Sequence, residues 1–492
     1  MPAEGREDAL AKPAIARPGV EPEGPSPIGR QVASASGAYP SRNMPDLVPR
    51  LPRVEALIGR RLADLDASVI EHIVEMRIRE DADLDFKRDV YEQSDKGHRD
   101  AAGDVAAMAN SPGGGAILLG IRDDDSAASE IVPIVFSDTV EGRLTQAIVS
   151  LTAPAPLFVI RRVPVNADSD RGVYVIIVPP SPYAPHAVRS GSRQLGYPRR
   201  SGPHTRWLSE SEVAEAYRIR FVTGEERRAR IELVREAGEG MLSRGAVWLA
   251  TTLVPAVPGS FTVNQQSMGE VRTGSARWFQ PGYAQHVFTD HFRAEAGVRR
   301  VVLSAGRQAG VHGSQSGHAE MHVDGSAFAA AAVAKVEQPE GKHAAASVDD
   351  EFLVEAAIAT VGLCAEFAGE RSGAVGDAYI AMSIAPGNAA ELVLTHTRFQ
   401  GLRQPFEGAH SAFGNHVSAS YINLEDAATA LGRLVVARTL LTEILQWFGV
   451  PEVLQITEDG QLRRRFIGDY NRVSAEAWAT ANGVDMVDSI PG

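Results

Sequence analysis

The chain is predicted to fold as an α/β domain with a mixed α+β sheet, followed by a second α+β domain, and three observations carry that reading. Between Leu62 and Ile121 the apolar residues pass from helical spacing to strict alternation, back to helical spacing, and then to a continuous run. That succession describes helices packed over a strand buried on both faces. Turn residues punctuate the same region at Gly113-Gly114-Gly115 and at Pro154 and Pro156. Beyond residue 225, further strand-like and helix-like segments recur, and 492 residues leave room for two or three domains.

Taken in order, residues 1–48 are rich in Pro, Gly, Ala and Ser and read as a disordered N-terminal arm. The first domain is assigned to 49–224. Leu62, Leu65, Val69, Ile73 and Met76 recur at helical spacing, with Asp64 or Asp66 as the cap. Leu84 and Phe86 then alternate with Asp85 and Lys87, so Asp85 and Lys87 share the polar face of a strand, with Glu80 at the turn that enters it. His98 to Ala109 is helical and small enough in its side chains to pack close to a sheet. Asn110 and the glycines stop it, because they tolerate positive φ. Ala116 to Ile121 is the central strand, and Asp123 leaves its end. A strand at Ile131 to Phe136, a helix at Glu141 to Leu151 and paired strands at Leu157 to Val165 and Gly172 to Val178 follow, the pair joined by a turn from Asn166 to Asp170. Ser209 and Glu212 have the spacing of a capping box, and the domain boundary is placed at Thr223 to Glu226.

The second domain, 225–492, has helices at Arg227 to Leu242, Asp350 to Phe367 and Ala427 to Phe448. Strands are expected at Ala246 to Val254, Val298 to Ser304, Ala319 to Val323, Ala378 to Ile384 and Glu391 to His396, and long loops between Val254 and Arg299. Their order, strands then a helix and again strands then a helix, admits a distant duplication.

Glu80-Asp81-Ala82-Asp83-Leu84-Asp85-Phe86-Lys87, then Ala109-Asn110-Ser111-Pro112-Gly113-Gly114, then Gly120-Ile121-Arg122-Asp123 resembles the AlbA-2 domain of Schlafen-type proteins. Its pattern there is Glu-Ser-x-x-x-Glu-Phe-Lys, Phe-Ala-Asn-x-x-Gly-Gly and Gly-Val-x-Asp. Here Asp81 stands for the Ser, Asp85 for the second Glu and Met108 for the Phe. Val175 to Ser181 is similar to the closing strand of the family, and Tyr197 to Gly202 to its Tyr-x-Arg-x-Gly segment, with one extra residue before the glycine. The likeness spans roughly residues 60–220 and implies nucleic acid, RNA or DNA, as partner. In Schlafen proteins that cut RNA a carboxylate trio forms the nuclease site, which the resemblance carries onto Glu80, Asp85 and Asp123.

Chemically, if those three side chains converge they offer hard oxygen ligands to Mg or Mn, with Lys87 steadying charge on a phosphodiester. The alternative is that Glu80 caps or salt-bridges, Asp85 pairs with Lys87 or Arg88, and Asp123 shapes a turn. The function expected first is nucleic-acid binding; a Mg- or Mn-dependent endoribonuclease is the alternative, and an ATP-linked regulator comes last. Gly113-Gly114-Gly115 is no P-loop, since it lies between a helix end and a strand start and lacks the lysine.

Net charge is −13 and the isoelectric point about 5.5, which argues against indiscriminate coating of nucleic acid. Distribution matters more: no acidic residue lies between Asp170 and Glu210, whereas Arg171, Arg189, Arg193, Arg199, Arg200 and Arg206 do. Arg189, Arg193, Arg199, Arg200 and Arg206 are the predicted nucleic-acid contacts, the alternative being a solvated loop whose arginines pair with acids elsewhere. His318, Glu320 and His322 would share one face of a strand, as ligands for a metal or as its outward polar face. One cysteine, Cys364, rules out a disulfide framework and a multi-cysteine zinc finger, and reads as core. The polar, acidic N-terminus does not resemble a secretory signal, and no apolar run approaches the roughly 20 residues that span a bilayer. A cytoplasmic protein with no membrane partner is the expectation, with homo-oligomerisation left open.

Overall fold

The computed structural model describes residues 48–165, 170–189, 194–278, 292–306, 315–338, 340, 343–398, 402–405 and 414–488. The expected arm up to residue 47, the turn from Asn166 to Ser169, and Arg193 lie outside them.

In the first half, α1 (Pro52–Ile58) and α2 (Ala67–Glu75) precede β1 (Leu84–Lys87), and α3 (Asp95–Ala109) links it to β2 (Gly115–Leu119). Asp66, rather than Asp64, caps α2, its carboxylate accepting from Val69 N at 3.1 Å. β3 (Ile121–Asp124) and β4 (Ala127–Ile131) form a separate hairpin, then β5 (Ile134–Val135), α4 (Asp138–Leu151), β6 (Thr152–Ala153), β7 (Val159–Pro164) and β8 (Arg171–Val178) follow. β1 runs parallel to β2, β2 antiparallel to β8, and β5 and β7 both pair with β8. The sheet is therefore mixed, as expected. Its side chains alternate between two cores. Ala116 and Leu118 join Leu84, Phe86 and the apolar face of α2, while Ile117 and Leu119 join Ala101, Val105 and Met108 of α3 with Leu144 and Ile148 of α4.

That double cover corrects one expectation. The face of β1 that carries Asp85 and Lys87 does not look into water: α3 lies over it, and Asp85 is 3 % exposed. Gly114 and Gly115 explain how α3 can lie so close. Gly114 has φ +66°, and a Cβ there would come within 2.3 Å of Val178 O; one at Gly115 would collide with Met108 Sδ. Only glycine permits both the turn and the approach.

The chain continues through β9 (Ala187–Arg189), β10 (Leu195–Gly196) and a two-stranded ribbon of β11 (Pro198–Ser201) and β12 (His204–Trp207) into α5 (Glu210–Glu239). The Glu212 carboxylate accepts from Ser209 N at 2.9 Å, the return bond of the expected capping box. The two helices expected on either side of Thr223–Glu226 are one helix of 30 residues. Gly224, in the middle of the helix, costs it only about 1 kcal/mol relative to alanine. The cap holds one end, and Ile231 and Val234 are buried near the other.

The second half is built on β13 (Ala246–Pro255), buried along its whole length. Between Val254 and Arg299, where loops were expected, lie α6 (Gln265–Trp278) and β14 (Phe292–Gly297). Asn264 Oδ1 accepts from Ser267 N at 2.9 Å, a capping signal hidden by the surrounding Pro, Gly and Ser. β15 (Arg300–Gly306), β16 (Gln315–His322), β17 (Ala327–Lys335), β18 (Ala345–Asp349), α7 (Asp350–Glu366), β19 (Asp377–Ala385), β20 (Glu391–Arg398), β21 (Leu402–Pro405) and β22 (His416–Asn423) follow. β14-β15-β16-β17-β13-β19-β22 is one seven-stranded antiparallel sheet, and β18-β20-β21 is a smaller one. The helix expected at Ala427 to Phe448 is split into α8 (Leu424–Ala428) and α9 (Ala430–Trp447), where Thr429 caps the second piece. β23 (Leu462–Arg463), α10 (Asp469–Asn482) and β24 (Met486–Val487) close the chain. Among the described residues one helical stretch, Asp350–Arg371, is long and apolar enough to cross a membrane, and 89 % of its most apolar window is buried inside the fold. Cys364 is buried in it, as expected of core. Tyr183 Oη donates to Asp377 Oδ2 at 2.7 Å and Arg50 Nη1 to Ser260 O at 3.0 Å, tying the two halves together.

Candidate functional site

Glu80, Asp85 and Lys87 meet on the α3 side of β1, joined by two residues the sequence did not single out, Asp104 and Tyr91. Lys87 Nζ pairs with Asp85 and lies 3.9 Å from Asp104 Oδ2. Tyr91 Oη donates to Asp104 Oδ2 at 2.8 Å. On its other side Asp85 receives Arg200 from β11, Nη1 to Oδ1 at 3.2 Å, with both side chains buried. Arg200 Nη2 also donates to Asp81 O at 3.3 Å. Glu80 Oε1 accepts from Phe86 N at 2.9 Å.

Electrostatics follow from this packing. Burial pushes the Glu80 carboxyl above its ordinary value, and the charges of Asp85 and Asp123 add to it. Burial likewise raises Asp104 against the pull of Lys87. Burial works against the charge of Lys87, but Asp85 and Asp104 outweigh it and hold its pKa above the usual lysine range. The Tyr91 hydroxyl is raised well above its ordinary value by burial and by the same acids. Two cations thus sit among buried acids, so the cluster is largely neutralised from within.

The predicted ligand trio does not form a cation seat. Asp85 is engaged by Lys87 and Arg200 on its two oxygens, Glu80 is held by a backbone amide, and Asp123 is exposed on the β3–β4 hairpin. Among the described residues no group of three or more His, Cys, Asp and Glu side chains is placed to hold a metal ion. The residues present do not fit Mg or Mn in this arrangement.

The arginines divide. Arg200 is an internal cation, 3 % exposed in its side chain, and is not available to an external ligand. Arg189 is exposed at the end of β9. Arg199 and Arg206 face each other across the ribbon, Arg199 half-buried and Arg206 exposed, and Arg206 Nη2 pairs with Glu212 Oε1 at 2.8 Å. What positions the ribbon is Asn110, at the end of α3. Its amide nitrogen donates to His186 O at 2.9 Å and to Pro198 O at 2.7 Å, and its oxygen accepts from His186 N at 2.6 Å. Sequence reasoning assigned Asn110 only to stopping the helix; its buried amide also clamps β9 and β11 to α3. His186 itself is buried, its Nδ1 donates to Pro154 O at 2.7 Å, and burial pushes its pKa down to about 4.

His318, Glu320 and His322 do share one face of β16, but that face is buried rather than outward. His318 Nε2 and His322 Nε2 each lie 3.5 Å from a Glu320 oxygen, and Arg300 Nε lies 3.2 Å away. Burial would raise the Glu320 carboxyl, yet the two histidines and Arg300 prevail and hold it at about 2. Only the His318–Glu320 contact is a hydrogen bond; Arg300 Nε, Glu320 Oε2 and His322 Nε2 are buried with no hydrogen-bond partner among the described residues, so charge proximity holds the group together.

Residues 80–208 match the family model described as Schlafen, AlbA_2. No curated protein matches the chain. Among solved structures, the DIP2311 protein from Corynebacterium diphtheriae is 24 % identical over 34 % of this chain and 29 % of that chain, with a TM-score of 0.22. The chain therefore corresponds to less than a third of the length of that protein. The AlbA-2 family is associated with nucleic-acid-binding proteins. The matched segment begins at Glu80 and ends one residue past Trp207, so it takes in the carboxylate–lysine cluster and the whole ribbon, and the chain is a protein that carries a Schlafen AlbA-2 domain.

Proposed function

We propose that the chain binds nucleic acid through the face of its AlbA-2 domain that carries the β11–β12 ribbon. One observation carries this reading: Arg199 and Arg206 are cross-strand partners. Like charges placed directly opposite each other destabilise a ladder. Glu212 offsets Arg206, and no acid pairs with Arg199 among the described residues. A phosphodiester seated between the two guanidinium groups supplies the missing negative charge, and arginine matches phosphate geometry. Exposed Arg189, on β9, adds a third cation to the same domain. The role proposed is binding and not cleavage, because Asp85 is engaged by Lys87 and Arg200, Glu80 by a backbone amide, and Asp123 is exposed on a separate hairpin.

Two or three phosphate contacts imply a shallow salt dependence, a log–log slope of roughly −1.5 to −2.5 at 0.7–0.9 per contact. In a binding titration across salt concentrations, Arg199→Ala combined with Arg206→Ala is expected to weaken binding and to flatten that slope by about 1 per arginine. Unchanged affinity and slope in the double variant would remove the ribbon as the contact surface. Arg200 is unsuited to this test, since its removal disturbs the core.

A further inference from the structure

The seven-stranded sheet ends on β14 at one side and on β22 at the other, and the two edges are built differently. β14 carries Arg293 and Glu295, and Arg272 of α6 donates to its Ala294 O at 3.5 Å. Charge and a covering side chain are ordinary means of keeping a sheet edge from pairing further. β22 has neither. His416-Val417-Ser418-Ala419-Ser420-Tyr421-Ile422-Asn423 contains no carboxylate, lysine, arginine or proline, and it pairs with β19 along its whole length without a bulge.

The phase of its hydrogen bonds follows from the ladder. Leu424 N donates to Gly376 O at 2.9 Å, and Ala256 N to Asp377 O at 2.7 Å. In an antiparallel ladder the bonded side alternates from one residue to the next, so the even-numbered residues of β22 bond to β19, while Val417, Ala419 and Tyr421 turn their N–H and C=O outward. Among the described residues no strand takes up those groups, and Tyr421 O accepts only from its neighbour Ser420 Oγ at 3.3 Å. The side chains of the same three residues are exposed, Tyr421 at 61 %. The opposite face is fixed to α9: Ser418 Oγ donates to Glu443 Oε2 at 2.7 Å, and His416 stacks on Trp447 with ring centroids 5.5 Å apart. The edge is thus open, uncharged and held in place before anything binds.

We propose that β22 pairs antiparallel with β22 of a second copy of the chain, across a twofold axis at Ala419, so that two seven-stranded sheets become one. In that register the edge is complementary to itself. Tyr421 falls opposite the partner's Val417, and Val417 opposite the partner's Tyr421, an aromatic and a β-branched side chain in favourable cross-strand contact. Ser418 falls opposite the partner's Ser420 on the α9 side. Val417, Ala419 and Tyr421 each exchange both backbone bonds with the residue opposite. A charge on a twofold axis meets its own copy, so the neutrality of this strand is what lets it pair with itself without repulsion. A strand of another protein satisfies the backbone alone; the chain's own strand also makes the Tyr421–Val417 pair twice. Each dimer then carries two AlbA-2 domains.

The test is analytical ultracentrifugation of the full chain over a concentration series. Wild type is expected to approach twice the 52.6 kDa of one chain as concentration rises. Ala419→Lys and Ala419→Glu each put like charges opposite one another on the axis, and each is expected to raise the dimer dissociation constant at least about 10-fold. An equimolar mixture of the two variants is expected to regain the dimer, because the charges that meet are then opposite. Ala419→Pro removes an outward N–H and no bond to β19, and is expected to weaken the dimer with circular dichroism unchanged. Monomeric wild type at every concentration overturns the proposal and leaves the edge to a strand of another protein. A wild-type dimer that survives both charged variants, or a mixture no more dimeric than its parts, overturns it as well, since the contact then lies elsewhere.

Discussion

Replacing Arg200 with alanine is expected to lower the unfolding free energy by about 3–5 kcal/mol, the range for breaking a buried ion pair from one side. Asp85 and Arg200 are both nearly inaccessible, and their contact joins β1 to β11 beneath α3. Removing the guanidinium leaves Asp85 buried, with Lys87 as its remaining ionic partner, and leaves Asp81 O with only the long bond from Leu84 N at 3.4 Å. Arg199, one residue away and on the other face of the strand, is the natural comparison: Arg199→Ala is expected to change stability by no more than about 0.5 kcal/mol. Urea unfolding of the two variants at one pH separates them. The double replacement Asp85→Leu with Arg200→Met should recover much of the loss, because apolar groups of similar volume often substitute for a buried pair at little cost. A loss below about 1 kcal/mol for Arg200→Ala, the range of a surface pair, would mean that the pair is solvated and that Arg200 is free to meet a ligand after all.

The contrast between Arg199 and Arg200 marks where sequence reasoning reached its limit. Period-two alternation placed Leu84 and Phe86 in a core, and the apolar run at Ala116 to Ile121 placed the central strand, because those signals depend only on neighbours along the chain. Whether the second face of β1 meets water depends instead on α3, which returns over it from residues far enough away to leave no periodic trace. Asp85 therefore looked like an exposed acid and Arg200 like one more cation in a basic segment. The composition of residues 171–209 correctly marked a region poor in acids, but it could not tell an arginine turned toward Asp85 from one turned toward its own mirror on a ribbon. Asp104 and Tyr91 escaped notice for the same reason, as did the second role of Asn110. At the domain boundary, Gly224 looked like a break because local propensity was weighed without the cap and the core contacts that hold α5 at its two ends. Family likeness compensated for some of this, since the order of short motifs from Glu80 onward reports the topology that single residues do not.

The second large effect is expected at Glu355, on α7. It is 1 % exposed, and neither carboxylate oxygen has a hydrogen-bond partner among the described residues. Burial pushes its carboxyl up to about 8, and the charges of Glu351 and Asp349 act in the same direction. The folded chain therefore holds this proton between its ordinary pKa of 4.5 and about 8, whereas the unfolded chain releases it. The sign follows from that difference: the stability associated with the neutral acid is fully present below the unfolded value and is lost as pH rises through the folded one. At about 1.4 kcal/mol per pH unit, the loss across this window is of order 5 kcal/mol. Glu355→Gln puts a neutral amide in the same volume and cannot release a proton. Its stability relative to wild type is expected to be near zero at the acid end of the window and to grow in favour of the variant toward pH 8. Asp350, pushed up to about 7 mainly by burial and held by Gln455 Nε2 at 2.7 Å, keeps a shallower slope of the same sign in the variant. Unfolding midpoints of both proteins across that pH range are the measurement, and parallel curves would show that Glu355 is ionised and solvated in the folded chain.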